Sequence, residues 1–191
     1  MNHEIPRLLS FWFADGPDAF RAAWFMKDDA FDAACRDGFG ALVVPARDGA
    51  LDGWAATPDG ALALLLLLDQ FPRNLFRGSA EAFASDPKAR AIARGAVLRD
   101  GFDHALAPAQ RIFLYLPFEH GEAPADQDLS VALFEGLRDH PAHAKPQGTI
   151  DYAWRHRAVI QRFGRFPHRN AALGRESTAA EAAWLAAGGG F

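Results

Sequence analysis

Two short stretches of the sequence place charged side chains next to helix-breaking residues in almost the same order. Residues 69–74 read Asp-Gln-Phe-Pro-Arg-Asn, and residues 166–170 read Phe-Pro-His-Arg-Asn. Loops of this kind commonly carry binding residues, and arginine forks pair with carboxylates or phosphates through two parallel hydrogen bonds. We expect the two stretches to lie together and to form one polar, arginine-rich pocket.

The candidate binding residues lie in these stretches or at neighbouring turns. They are Asp69, Arg73, Asn74, Arg77, His120, Arg165, His168, Arg169, Asn170 and Arg175, together with Trp12 as the one tryptophan expected to line a pocket. In this interpretation Arg73, Arg165 and Arg169 supply positive charge. His120 and His168 donate hydrogen bonds, and Asp69 orients the arginines. The pattern favours binding of a small anion or of the acidic end of a peptide.

A structural interpretation of the same residues stays open. The arginines then neutralise Asp69, Glu119 and Glu122 in an internal salt-bridge network that fixes helix ends. Asn74 and Asn170 then cap helices or occupy turns. A third possibility is a protein–protein scaffold.

Acid–base chemistry is the alternative to simple binding, and whether the protein is an enzyme stays open. Glu119, His120 and Glu122 follow one another within the stretch Phe118-Glu119-His120-Gly121-Glu122, and they are the catalytic candidates. A glutamate acts as the base with His120 as its partner, in a hydrolase or an isomerase, while the arginines stabilise developing negative charge. These three residues, with His156 and His168, offer ligand types for a divalent metal or for a general acid–base pair.

No metal site or cofactor is predicted. A His-x-Glu pair in a loop is a weak signal, and the cysteine pair that accompanies it in zinc deaminases is missing, since Cys35 is the only cysteine. The sequence also contains no glycine-rich phosphate loop and no Gly-x-Ser-x-Gly motif.

Composition limits the partners and the location. The chain of 191 residues has a formal charge of -4 and a pI near 5.9, so it has no overall attraction for nucleic acid or for an anionic membrane. Positive charge is concentrated in residues 151–175, which hold six arginines and one aspartate. Residues 1–7 show no basic leader before an apolar region, which predicts a cytoplasmic location. We expect one helical domain over residues 1–191, while the oligomeric state stays open.

The helix that must position the first stretch is apolar throughout. Residues 61–68 are all alanine or leucine, so this helix has no solvent-facing side and we expect it to be central. Thr57-Pro58-Asp59 before it predicts an N-cap and a first turn, and Pro72 is expected to stop it. Asp69 follows directly, and a buried carboxylate is unfavourable unless it is paired. The arginines of the two stretches are its expected partners.

Other helix signals recur along the chain. Asp28 or Asp29 and Asp86-Pro87 are expected to open helices, Pro117 to end one, and Thr178 with Glu181 to form a capping box. Eight or nine helices with short turns and no alternating strand pattern predict an all-α fold of antiparallel helical hairpins.

Several motifs spread over the chain resemble one bacterial family. They are Phe11-Trp12-Phe13, Trp24-Phe25, residues 67–74, Phe83 with Asp86, residues 111–122 and residues 162–170. Together they resemble the family known as DUF924, which implies a tetratricopeptide-like α–α superhelix and no established reaction. The family's Pro-Phe-x-His motif continues with serine, and this chain has Gly121 at that position.

Overall fold

The structure, a computed structural model, describes residues 3–191 and contains helices and no strands within that range. The predicted all-α fold is therefore confirmed. Met1 and Asn2, part of the segment from which a cytoplasmic location was predicted, lie outside the described residues. The chain divides into two compact units, residues Met1–Arg77 with Glu81–Pro117, and residues Gly78–Ala80 with Phe118–Phe191. A single domain over the whole chain stays a prediction.

Among the described residues, six helices begin in the first unit and four lie in the second. The first unit contains α1 Glu4–Trp12, α2 Asp29–Arg47, α3 Pro58–Leu65, α4 Phe71–Leu75, α5 Asp86–Arg94 and α6 Pro108–Glu119, the last of which belongs to it up to Pro117. The second contains α7 Pro124–Glu135, α8 Pro141–Ala144, α9 Thr149–Phe163 and α10 Ala179–Ala186. Short 3₁₀ turns lie between several of these helices. Among residues 3–191, none of the helices has the length and apolar character needed to span a membrane.

The apolar helix α3 is the buried centre of the first unit, as predicted. Every side chain from residue 61 to residue 68 is fully buried. Thr57 Oγ1 accepts the Gly60 N–H at 3.2 Å, so the predicted N-cap is also confirmed. A side chain at Gly60 would meet the Trp54 carbonyl oxygen at 2.1 Å from its Cβ, so only glycine fits here.

Pro72 does not stop this helix, and that expectation is wrong. The chain passes from α3 through a π-helical turn, Leu66–Gln70, directly into α4, which contains Pro72. Proline has no N–H for the carbonyl four residues earlier, which is that of Leu68. The Ser85 hydroxyl donates to this oxygen at 2.6 Å. The wider turn and the serine together accommodate the proline inside a continuous helical segment.

Other helix ends agree with the sequence in part. Asp28 accepts from the N–H groups of Ala30 and Phe31 at 3.0 Å, and Thr178 with Glu181 forms the predicted capping box. Asp86 is not an N-cap, because Ser85 occupies that position and Asp86 is the first residue of α5. The expectation that Pro117 ends α6 is also wrong, since the helix continues to Glu119.

In the second unit, α7 packs on α9, and the core contains Val159, Ile160 and Phe166. α9 ends where Gly164 adopts a left-handed conformation, φ +70°. The buried Gln127 of α7 holds the loop after α6 by donating its amide N–H groups to the Glu119 and Gly121 carbonyls, at 2.7 and 2.6 Å. These contacts fix the positions of residues 119–122.

Candidate functional site

The first polar cluster lies at the end of the buried helix in the first unit. Asp69, 1% exposed, is paired with Arg73 of the next turn at 3.0 Å. The same guanidinium holds Asp86 with two hydrogen bonds of 3.0 and 3.1 Å and donates to the Asp69 carbonyl oxygen at 2.7 Å. Arg73 thus joins the π-helical turn that follows α3 to the first turn of α5.

A neighbouring cluster joins α4 to α2. Asn74 donates to Asp32 at 2.7 Å, and Arg77 grips the same carboxylate with two bonds of 2.7 and 3.0 Å. Burial alone raises the pKa of Asp32, but the hydrogen bonds from Arg77 and Asn74 outweigh it, and the pKa falls below its ordinary value. The carboxylate is therefore held in its charged form.

In the second unit, Arg175 closes the loop that follows α9. It binds Glu122 through two hydrogen bonds of 2.8 and 3.0 Å, and it donates to the Phe166 carbonyl oxygen at 3.0 Å. Glu122 also accepts the Phe166 N–H at 2.8 Å. Burial raises the pKa of Glu122, yet the bonds from Arg175 and from the Phe166 N–H lower it overall. Residues 119–122 and 165–170 are therefore brought together within this unit.

Arg165 and Asn170 fix the start of α10. Arg165 binds Glu181 through bonds of 2.6 and 2.8 Å, and Asn170 donates to Ser177 Oγ at 3.0 Å. The Arg165 hydrogen bond, followed by that from the Thr178 N–H, lowers the pKa of Glu181 to about 2. Asn170 also accepts from Arg175 Nε at 3.0 Å, which links the two ion pairs.

A buried carboxylate–imidazole pair lies between α6 and α9. His156 Nδ1 is 3.3 Å from Glu119 Oε1 and 2.9 Å from the Tyr152 carbonyl oxygen. Both side chains are buried, His156 at 7% exposure and Glu119 at 5%. A carbonyl oxygen only accepts, so Nδ1 carries the proton and the neutral ring has its lone pair at Nε2.

The Phe166 ring and three side chains that are cationic or can become so, His120, His168 and Arg169, surround this imidazole. The His120 ring lies 6.2 Å from it, centroid to centroid, and the Phe166 ring lies 5.5 Å from it. Arg169 packs over Phe166, 4.5 Å from the ring centroid, and donates to the His120 carbonyl oxygen at 3.0 Å. His168 contacts the same phenyl ring at 5.6 Å. We call Glu119, His120, His156, His168 and Arg169 the histidine cluster.

The surroundings of His156 strongly lower its pKa. Burial lowers the pKa of His156 well below its ordinary value, and the fields of His120, Arg169 and His168 lower it further. The hydrogen bond to Tyr152 acts in the opposite direction and does not reverse the shift. His156 is therefore neutral at pH 7 despite the carboxylate beside it.

The predicted site residues thus fall into two groups. Asp69, Arg73, Asn74 and Arg77 lie in the first unit, and the candidates from residue 119 onwards lie in the second. Trp12, also in the first unit, is fully buried against Trp24 and Phe71, and its Nε1 has no partner among the described residues. That all these residues form one site stays a prediction.

The sequence indicates His156 as a residue type for a metal or for an acid–base pair, but does not place it among the binding residues or the leading catalytic candidates. It lies in the middle of α9 and 37 positions after Glu119 in the sequence, so the proximity of the two side chains depends on how α9 packs. Within residues 3–191, no three His, Cys, Asp or Glu side chains are grouped so that they could hold a metal ion.

Comparison with known sequences settles the family. Residues 8–189 match the family described as bacterial protein of unknown function, DUF924. The chain belongs to this family. A solved structure of a protein of unknown function from Agrobacterium tumefaciens is similar to this DUF924 protein, with a TM-score of 0.83 and 42% identity, over 95% of this chain and 96% of that chain. No curated protein matches the sequence. Membership of DUF924 therefore indicates a fold but assigns no activity. The tetratricopeptide-like arrangement stays a prediction.

Proposed function

We propose that the second unit of this DUF924 protein binds a small anion, or the acidic end of a peptide, at the histidine cluster. The observation that supports this is the convergence of Arg169, His120 and His168 on the buried His156, whose pKa they all lower. Arg169 is cationic and His120 and His168 become cationic when protonated; such groups repel one another in a poorly solvated place, and a bound anion, in addition to Glu119, offsets that repulsion. Arg169 supplies the charge, while the histidines supply hydrogen bonds.

The other arginines have structural roles in this proposal. Arg73, Arg77, Arg165 and Arg175 each hold a carboxylate in a two-bond fork, with Asp86, Asp32, Glu181 and Glu122 as the respective partners. A guanidinium in such a fork has used its preferred geometry for binding an anion. These four arginines therefore fix helix ends and loops, and the proposed anion site contains fewer arginines than the sequence alone suggested.

The test is a titration of the protein with inorganic phosphate and with acetate, followed through the ring-proton NMR signals of the histidines. We expect Arg169→Met to weaken phosphate binding at least about tenfold, the loss of roughly one charge-assisted hydrogen bond. Arg162→Met is the matched control, because Arg162 is exposed on the same helix–loop segment and is expected to change nothing. In wild type, saturation with phosphate should raise the pKa of His156 towards its ordinary value.

Two results contradict the anion site. One is unchanged phosphate affinity in Arg169→Met. The other is loss of folding in Arg169→Lys as well as in Arg169→Met, which assigns Arg169 to the structure.

Acid–base catalysis is the second candidate, and the geometry of Glu119 and His156 favours it. An imidazole held at Nδ1 by a carboxylate, and neutral at pH 7, is the form in which histidine serves as a general base through Nε2. This differs from the pairing expected from the sequence, in which His120 was the partner of the glutamate. Glu122 is less suited to be the base, because Arg175 binds both of its oxygens.

A panel of hydrolase and isomerase substrates tests the second candidate. If the wild-type protein turns over any of them, His156→Asn should lower kcat by about a hundredfold or more, the typical contribution of a general base. His104→Asn, an exposed histidine of the first unit, is the control. No turnover of any substrate class by wild type leaves the binding proposal ahead.

A further inference from the structure

An aromatic ring lies against the histidine cluster, and the chain itself supplies it. The Phe191 ring stacks on the His156 ring with centroids 3.6 Å apart and planes 12° apart. The rings of His168 and Phe166 meet Phe191 edge-on, at 5.6 and 6.2 Å and at 82° and 89°. One face-on and two edge-on contacts make a slot shaped for a flat ring.

The segment that delivers Phe191 is built from three glycines. Gly188 and Gly190 have φ values of +83° and +146°, which other residues rarely adopt. Gly189 lies under the Trp184 indole, where a Cβ would come within 2.3 Å of the ring. The segment is tied to α10 by the Gly188 and Gly189 N–H groups, which donate to the Leu185 and Trp184 carbonyls at 3.0 Å. The backbone of α10 and the glycines therefore direct Phe191 towards His156.

Phe191 itself is held loosely for an aromatic side chain in such a slot. It is 46% exposed, whereas Phe166 on the opposite wall is fully buried. Its contacts are with aromatic rings, including Tyr152 at 6.5 Å, and with the Arg155 guanidinium at 5.7 Å, and each is individually worth about 0.5–1.5 kcal/mol. A half-exposed ring held by stacking can leave without disturbing the core that contains Phe166.

We propose that the slot formed by His156, Phe166 and His168 is a binding site for the aromatic ring of a ligand, and that Phe191 occupies it as an intramolecular competitor. Arg169 packs on the Phe166 wall of the slot. Resting on the proposed anion site, the ligand class is therefore a small aromatic carboxylate, whose ring enters the slot and whose charge meets Arg169. Departure of Phe191 opens the slot.

The experiment compares wild type with Phe191→Ala, using benzyl alcohol, benzoate and cyclohexanecarboxylate as probes and histidine ring-proton NMR as the readout. Stacking of Phe191 shifts the His156 ring protons upfield in wild type, and this shift should disappear in Phe191→Ala and return on addition of either aromatic probe. If Phe191 fills the slot nine-tenths of the time, its removal should lower the apparent Kd for benzoate about tenfold. Cyclohexanecarboxylate, which has no π face, should bind more weakly than benzoate.

Two further variants complete the design. Gly190→Ala keeps the phenyl ring but strains the backbone at φ +146°, so it should also open the slot and raise benzoate affinity. Phe20→Ala removes an exposed phenylalanine of the first unit and should leave all three affinities unchanged.

The outcomes separate the two proposals. Benzyl alcohol is uncharged, so its binding to Phe191→Ala with a returning upfield shift supports the slot whatever happens at Arg169. Failure of both benzyl alcohol and benzoate to restore that shift overturns the aromatic site, even where phosphate still binds. Binding of benzyl alcohol without any gain for benzoate, and without phosphate binding, keeps the slot and overturns the anion site and the ligand class that rests on it.

Discussion

The hydrogen bond from Ser85 to Leu68 allows a sharp test of how the first polar stretch is positioned. Pro72 leaves the Leu68 carbonyl without its helical N–H, and Ser85 Oγ supplies a donor at 2.6 Å. Ser85 is buried, so water cannot easily replace the hydroxyl in Ser85→Ala. Leaving a buried carbonyl unsatisfied costs about 1–3 kcal/mol, and we expect the free energy of unfolding to fall by that amount. For a chain of this size, that corresponds to a fall in Tm of about 2–4 °C per kcal/mol.

A double-mutant cycle with Pro72→Ala isolates the cause. Alanine at position 72 restores an N–H that can reach the Leu68 carbonyl, so the serine becomes less important. Ser85→Ala should then lower the free energy of unfolding by at least about 1 kcal/mol less in the Pro72→Ala background than in wild type.

Urea unfolding followed by circular dichroism measures all four proteins of the cycle. Ser130→Ala is the matched control, because Ser130 is fully buried and its hydroxyl has no partner among residues 3–191. Its removal should be neutral or stabilising. An equal effect of Ser85→Ala in both backgrounds would refute the assignment of the serine as the replacement donor.

Two predictions concern protonation. The folded pKa of His156 lies below its ordinary value of 6.5, so the unfolded chain binds the proton first and the free energy of unfolding should fall as pH drops below about 6.5. His156→Asn should reduce the slope of this pH dependence by up to about 1.4 kcal/mol per pH unit between pH 7.5 and 5.5, measured by urea unfolding. An unchanged slope would contradict a buried neutral imidazole. Glu181, with a folded pKa of about 2 against an ordinary 4.5, contributes stability that is present above pH 4.5 and lost towards pH 2. Arg165→Met should therefore move acid unfolding to higher pH, whereas Arg162→Met should not, and equal midpoints would assign the shift to other carboxylates.

The features that the sequence predicted correctly are those set by local pattern. Eight consecutive alanines and leucines leave no polar face, so burial of residues 61–68 follows from the composition of the segment alone. Thr57 and Thr178 act on N–H groups three residues away, within reach of a short motif. The all-α fold follows from many such segments.

The features that it missed depend on groups distant in the chain. Pro72 is expected to end a helix because it has no N–H for the helical ladder, and the donor that replaces that N–H, Ser85, lies 17 positions away from Leu68 in the sequence. The sequence shows the charge of each arginine but not its partner, since Asp32 and Glu122 are 45 and 53 positions from Arg77 and Arg175. His156 lies on a helix with no local sign that Glu119 is its neighbour.

The similarity of the two Phe-Pro stretches illustrates the same limit. In the first, Arg73 follows Pro72 directly on a continuous helix and reaches two carboxylates. In the second, His168 is inserted, and Pro167–Arg169 forms a 3₁₀ turn after a break at Gly164. One extra residue rotates the following side chains by about 120° on a 3₁₀ turn of 3.0 residues per turn, so the same residue types in the two stretches point in different directions.

The two arginines accordingly have different neighbours. Arg73 is committed to Asp69 and Asp86, whereas Arg169 lies over Phe166 and beside His120. The inserted His168 contributes a wall of the slot that holds Phe191. The second stretch therefore cannot be treated as a copy of the first, because the inserted residue changes which groups its arginine and histidine contact.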